Sequence, residues 1–203
     1  MTHDTPDRPP ILTIGYGSRS MEDFIATLQR YGVRYVIDIR SAPYSRYKPE
    51  FSKDALDGAL DEAGIRYVFM GDALGGRPDD AECYDAEGKV DYETVKTKPF
   101  YRAGLERIAT AFEQQNHVVL MCSEGKPQDC HRSKLIGVSL DEAGIPVQHI
   151  DENGDLKSQE EVMVIVRPQP SLFEEFDALT SRKKYAPGSS VQALPDDDED
   201  AWQ

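Results

Sequence analysis

The chain has 203 residues, with 23 Lys and Arg against 37 Asp and Glu, and a formal net charge of -14. A chain of this length is expected to form one domain plus tails, with core enough to fold without metals or disulfides. The acidic balance excludes holding nucleic acid through a general basic field. Its 3 cysteines are too few, and odd in number, for a disulfide scaffold.

No apolar run approaches the length that spans a bilayer, so no membrane partner is expected. The opening MTHDTPDRPP has no basic segment followed by an apolar one, so a cytoplasmic location is expected. Residues 1–10 read as a disordered leader and 11–166 as an α/β domain. Residues 167–181 read as a short peptide or C-terminal helix. Residues 182–203 read as a disordered tail holding the acid run Asp196 to Asp200.

Within the domain, Ile11–Gly15 is an apolar run ending in glycine and predicts a first strand. After the turn Gly15-Tyr16-Gly17-Ser18, Ser18 or Ser20 is available to cap a helix carrying Phe24, Ile25, Leu28 and Tyr31. Tyr35–Ile39 predicts a second strand, broken by Ser41-Ala42-Pro43. A helix with Leu56 and Leu60 then ends at Gly64, and Ile65–Met70 predicts a third strand. Residues 71–98, with Leu74-Gly75-Gly76, read as a long functional loop. Pro99 suits a helix start, followed by Phe100, Leu105, Ile108 and Phe112. Val118–Cys122 is the fourth strand. A helix after Gln128 with Leu135, Ile136 and Leu140 leads to a fifth strand, Pro146–Ile150. Leu60-Asp61-Glu62-Ala63-Gly64-Ile65 recurs word for word as Leu140 to Ile145, which predicts two equivalent helix–strand corners.

This alternation predicts a Rossmann-like, three-layer α/β fold: a mainly parallel sheet of about five strands with helices on both faces. Ligands bind beyond the carboxyl ends of strands in such sheets. That rule gathers Gly15, Tyr16 and Ser18 after strand one, Asp38, Arg40 and Ser41 after strand two, and Cys122 and Glu124 after strand four.

The segment CSEGKPQDCHR, Cys122 to Arg132, concentrates chemistry. Backbone N–H groups at the helix start favour an anion and lower a cysteine pKa. Arg40 and Arg132 are expected to bind an anionic substrate as a clamp. Asp38 and Glu124 are candidate acid–base groups, Cys122 and Cys130 candidate nucleophiles, and His131 a further candidate catalytic residue. A metal site is not expected, because Cys122, Cys130 and His131 match no standard zinc spacing and the adjacent Cys130 and His131 do not converge readily. No cofactor is expected. A redox dithiol is the further reading, although the thiols stand eight positions apart, not in a C-x-x-C arrangement. The plain alternative is that Cys122 is a small buried hydrophobe. In a phosphatase-type loop the arginine position counted from Cys122 falls on Gln128, so that match fails. Ser41-Ala42-Pro43-Tyr44-Ser45-Arg46-Tyr47-Lys48 mixes rings and charge in a way that can grip a nucleotide or single strand, with a solvated loop as the plain alternative. His149 is read as facing the core.

Thr13-Ile14-Gly15, Asp38-Ile39-Arg40-Ser41-Ala42-Pro43-Tyr44-Ser45, Leu74-Gly75-Gly76, Leu120-Met121-Cys122-Ser123-Glu124, Cys130-His131-Arg132 and His149-Ile150 together resemble the domain of unknown function 488 family, over roughly residues 11–152. The resemblance implies an α/β fold with a site built from these loops, and no established reaction. Alanine is frequent in the family where Ser123 stands.

Beyond the domain, Gln169-Pro170-Ser171-Leu172-Phe173 resembles the peptide by which bacterial polymerases and repair proteins bind the DNA sliding clamp, with Pro170 in place of the usual leucine. Gln169, Leu172 and Phe173 would make the contacts. Ser171 to Glu174 also reads as a helix capping box. The expectation is an enzyme acting on DNA or a nucleotide, recruited by the clamp. The alternatives are a nucleotide-binding module and a thiol oxidoreductase using Cys122 and Cys130.

Overall fold

The computed structural model describes residues 8–167, 179–185 and 187. Strand β1 is Ile11–Gly15. Ser20, not Ser18, opens helix α1 (Met21–Arg30), its hydroxyl accepting from the Asp23 N–H at 3.1 Å. There follow β2 (Tyr35–Asp38), a 3₁₀ turn at Pro49–Phe51, α2 (Lys53–Glu62) and β3 (Arg66–Phe69).

The expected loop 71–98 is not idle chain. It contains α3 (Gly71–Leu74), a 3₁₀ turn at Ala81–Cys83, β4 (Lys89–Asp91) and α4 (Tyr92–Thr97). These elements are too short to impose a periodicity on the sequence. Then come α5 (Pro99–Glu113) and β5 (Val118–Cys122). The helix expected after Gln128 begins as a 3₁₀ turn at Pro127–Asp129. It continues as a π-helical segment, Arg132–Gly137, and becomes regular only in α6 (Val138–Glu142).

After β6 (Val147–Ile150) the chain turns back as β7 (Leu156–Ser158) and enters α7 (Gln159–Val166) through a capping box between Ser158 and Glu161. Thr180–Lys184 form β8, which reaches into the stretch that composition assigns to the tail. Its residues are polar because the strand is held by backbone pairing to β4, not by a buried face.

Among the described residues the main sheet has six strands in the order β3-β2-β5-β1-β6-β7; all neighbours are parallel except β6 and β7. The three-layer α/β expectation holds, with β7 as an added antiparallel edge. Alternation along β5 divides the core. Val119 and Met121 face α1 and α2, packing with Ile14, Phe24, Leu28, Phe51, Leu56 and Leu60. Leu120 and Cys122 face the opposite layer, with Leu74, Tyr101, Ile108, Leu135 and Leu140.

The repeated hexapeptide does build two equivalent corners. In one, Gly64 N–H bonds Asp61 O and Ile65 N–H bonds Leu60 O, both at 2.9 Å. In the other, Gly144 bonds Asp141 and Ile145 bonds Leu140 at the same distances. Gly64 and Gly144 have φ of 72° and 73°, the left-handed conformation that closes a helix and that glycine adopts without a Cβ penalty.

Candidate active site

Parallel pairing sets Gly15 beside Cys122 and Asp38 beside Met121, so the carboxyl ends of β1, β2 and β5 meet at one edge. Two groups of polar side chains form there, on opposite faces of the sheet.

The first group follows β5. Cys122, at 5% exposure, is the last residue of a fully buried strand. The loop that follows is pinned by Ser133, whose hydroxyl donates to Pro127 O at 2.6 Å. The Pro127–Asp129 turn, closed by Cys130 N–H to Pro127 O at 3.1 Å, swings Cys130 back under Cys122. His131 Nδ1 then lies 3.7 Å from Cys130 Sγ and 3.9 Å from Cys122 Sγ. The three donor atoms lie within 4.8 Å of one another, and all three residues are buried. The sequence reasoning that Cys130 and His131 do not converge is thereby corrected: the 3₁₀-to-π transition turns both side chains to one side. π-helical turns of this kind are frequent at functional sites.

The Cys130 thiol is the largest influence holding the Cys122 thiol well below the ordinary cysteine range, by donating a hydrogen bond to it. Burial opposes this, and the charges of His131 and Arg132 add to the lowering. Burial, followed by the neighbouring Cys122, pushes Cys130 well above that range.

Arg132 is fully buried. Its Nη1 donates to Glu124 O and its Nη2 to Gly125 O at 2.8 Å. A Cβ on Gly15 would collide with Glu124 O and with the Arg132 guanidinium, so a side chain there is excluded. Arg132 therefore fastens the loop after β5 to the end of β1. The Glu124 carboxylate points elsewhere, toward Arg182 Nη2 at 3.4 Å.

The second group lies on the α1–α2 side. Arg40 donates through Nε and Nη2 to the two oxygens of Asp38 at 2.9 and 2.7 Å, and its own N–H adds a third bond at 3.0 Å. Tyr67 donates its hydroxyl to Asp38 Oδ2 at 2.7 Å. The guanidinium sits 5.5 Å from the centre of the Tyr16 ring. Burial works against the Arg40 charge, but the bonds to Asp38 outweigh it and hold the guanidinium above its ordinary pKa. Burial and the Asp38 charge push Tyr67 up, and burial raises Tyr16. Arg40 Nη1 is buried with no hydrogen-bond partner among the described residues.

The clamp expected from Arg40 and Arg132 is thus split. The two guanidiniums occupy opposite faces, one bound to a carboxylate and the other to two carbonyls. Between the groups runs the Leu74-Gly75-Gly76 segment. Ser41 Oγ accepts from Arg77 N–H at 2.8 Å, and Gly76 lies against the His131 ring, where a Cβ would fall 2.8 Å from Nδ1. Ser18 contributes its carbonyl, which accepts from Lys48 Nζ at 3.3 Å.

His149 is in the core, as read from the sequence. Thr13 Oγ1 lies 2.7 Å from its Nδ1 and Gln159 Oε1 lies 2.6 Å from its Nε2, while Gln159 Nε2 donates to Ser133 O at 3.1 Å. Burial lowers the His149 pKa to about 4.

Sequence reasoning missed Tyr67, Gln159 and Arg19. Arg19 Nη1 donates to Gly15 O at 2.5 Å and its Nη2 to Asp151 O. Only Arg19 carried a signal, as a basic residue in the turn after a glycine-ended strand. Gln169, Leu172 and Phe173 lie outside the described residues.

The family model described as Domain of unknown function DUF488 matches residues 20–138. That is more than half of the chain, so the chain belongs to this family. No curated protein and no solved structure matches it.

Proposed function

We propose that this DUF488 chain is an enzyme acting on DNA or a nucleotide, with its reacting centre at the Cys122–Cys130–His131 cluster. The observation that carries the reading is the convergence of three buried donor atoms within 4.8 Å at the carboxyl edge of the sheet. A core that needed only packing would fill this space with apolar groups, which carry no desolvation cost. The loop after β2 suggests the substrate class. Tyr44 and Tyr47 are 55% and 58% exposed, and between and beside them stand Arg46 and Lys48. Exposed rings beside cations suit stacking on a base with charge on its phosphate. Lys48 ties this loop to the β1 edge through the Ser18 and Arg19 carbonyls.

The test is a turnover screen over nucleotides and lesion-bearing DNA. Cys122→Ser is expected to abolish turnover. Tyr44→Ala with Tyr47→Ala is expected to raise KM and leave kcat nearly unchanged, because stacking contributes binding in ground and transition states alike. Wild-type turnover in Cys122→Ser removes the cluster from the reaction.

A second reading, a thiol oxidoreductase, is favoured by the closeness of the two sulfurs. It requires an added low-molecular-weight disulfide to take two electrons and two protons from Cys122 and Cys130 as they form their own disulfide, leaving two small thiols, and a dithiol to reverse the exchange. Mass spectrometry of the linked peptides decides it.

A further inference from the structure

The geometry points to a zinc site: we propose that Cys122, Cys130 and His131 bind one Zn²⁺ through Sγ, Sγ and Nδ1, with a fourth position left for water or a substrate atom. This rests on the reading of the cluster as the reacting centre and says what that centre holds. Zinc–sulfur bonds of about 2.3 Å and a zinc–nitrogen bond of about 2.0 Å at tetrahedral angles set sulfur and nitrogen about 3.5 Å apart and two sulfurs about 3.8 Å apart. The two observed sulfur–nitrogen separations are 3.7 and 3.9 Å. The third separation in the set is within 4.8 Å. The two sulfur–nitrogen separations are within a few tenths of an ångström of those values.

The surroundings suit a metal thiolate. Arg132 N–H donates to Cys130 Sγ at 3.5 Å, a bond that favours the sulfur as an anion. Gly76 carries no side chain where a Cβ would fall 2.8 Å from Nδ1 and crowd the donor nitrogen. Two thiolates neutralise the ion, so the buried site holds no net charge of its own, and the Arg132 guanidinium keeps its two carbonyl partners. The donor set of two thiolates and an imidazole selects zinc over magnesium or calcium, which prefer oxygen. Binding balances as Zn²⁺ plus two thiols and a neutral imidazole giving the complex and two released protons. Three protein donors with an open fourth position are the arrangement of catalytic, not structural, zinc.

The experiment uses the full chain, purified with a reductant, stripped with a chelator and reloaded with Zn²⁺ alone. Metal content is read by inductively coupled plasma mass spectrometry, and affinity by competition with a chromophoric chelator. One zinc per chain is expected. Affinity should fall on the order of 100-fold or more in Cys122→Ser and in His131→Ala, and be retained in Cys83→Ser. Co²⁺ in place of Zn²⁺ should give the sulfur-to-cobalt charge-transfer and visible bands of a tetrahedral thiolate site. Each variant is checked by circular dichroism. If a variant fails to fold, the cobalt spectrum of the wild type decides alone. A reduced wild-type chain that takes up no more zinc than the Cys122→Ser, Cys130→Ser double variant overturns the site. Turnover that survives chelation, yet is lost in Cys122→Ser, overturns the zinc and keeps the reacting centre. One bound zinc with no turnover of any nucleotide or DNA keeps the zinc and overturns the substrate reading.

Discussion

Asp38 and Arg40 form a buried ion pair at the end of β2, with two side-chain hydrogen bonds between them and a third bond from Tyr67 to the carboxylate. Both side chains are buried, so each charge depends on the other. Asp38→Ala is expected to destabilise the fold by about 3–5 kcal/mol, because it leaves a buried guanidinium unpaired. Tyr67→Phe is expected to cost less, about 1–3 kcal/mol, since one hydrogen bond to a charged group is lost. Urea unfolding of the two variants checks both, and an Asp38→Ala midpoint equal to the wild type would contradict the pairing. The candidate status of these residues was legible: an aspartate and an arginine directly after an apolar strand stand out. Their pairing with each other was not, because residues two apart on a strand share a face only when the strand's end keeps its pleat. Tyr67 gave no signal at all, since a tyrosine in a β-strand is ordinary.

At the scale of elements, the polar relay Thr13–His149–Gln159–Ser133 ties β1 and β6 to α7 and to the π-helical segment that carries Arg132. It fixes the base on which Cys130 and His131 sit. Its pH behaviour follows from the His149 pKa of about 4 in the folded chain. An unfolded histidine takes its proton near pH 6.5. The folded chain resists that proton, so the contribution is full above about pH 6.5 and is lost progressively as pH falls toward 4. The size is about 3 kcal/mol. The unfolding midpoint of the wild type should fall more steeply between pH 6.5 and 4.5 than that of His149→Gln. Parallel curves would contradict the relay. The strands and long helices of the domain were readable because each had an apolar run or stripe and a glycine or proline boundary. β8 was not, because Thr180–Lys184 is polar and its partner β4 lies far away in sequence. α7 carries its start signal in the Ser158–Glu161 capping box, while its run Val162 to Val166 has no polar face to mark a helical stripe. The π-helical register of Arg132–Gly137 has no periodic signature in six residues, and this hid the convergence of Cys130 and His131.

For the whole molecule, the net charge of -14 makes unaided attraction to nucleic acid weak. A substrate of DNA then calls for a tether, and Gln169, Leu172 and Phe173 supply the candidate. The chain is expected to bind the sliding clamp of its own organism, and Gln169→Ala, Leu172→Ala, Phe173→Ala together are expected to abolish that binding in surface plasmon resonance. Equal binding by the triple variant would leave the segment without this role. Tethering raises local concentration without requiring a basic surface. The tether would then bring the substrate to the carboxyl edge of the sheet, where both the Tyr44–Lys48 loop and the cluster lie. The most direct measurement is kcat/KM for Cys122→Ser beside the wild type, on whichever nucleotide or damaged DNA the wild type turns over, with unfolding midpoints measured in parallel. The expected result is a loss on the order of 100-fold or more while the variant remains folded at the assay temperature. Equal kcat/KM, or no turnover of any nucleotide or DNA by the wild type, would contradict a reacting centre of this kind.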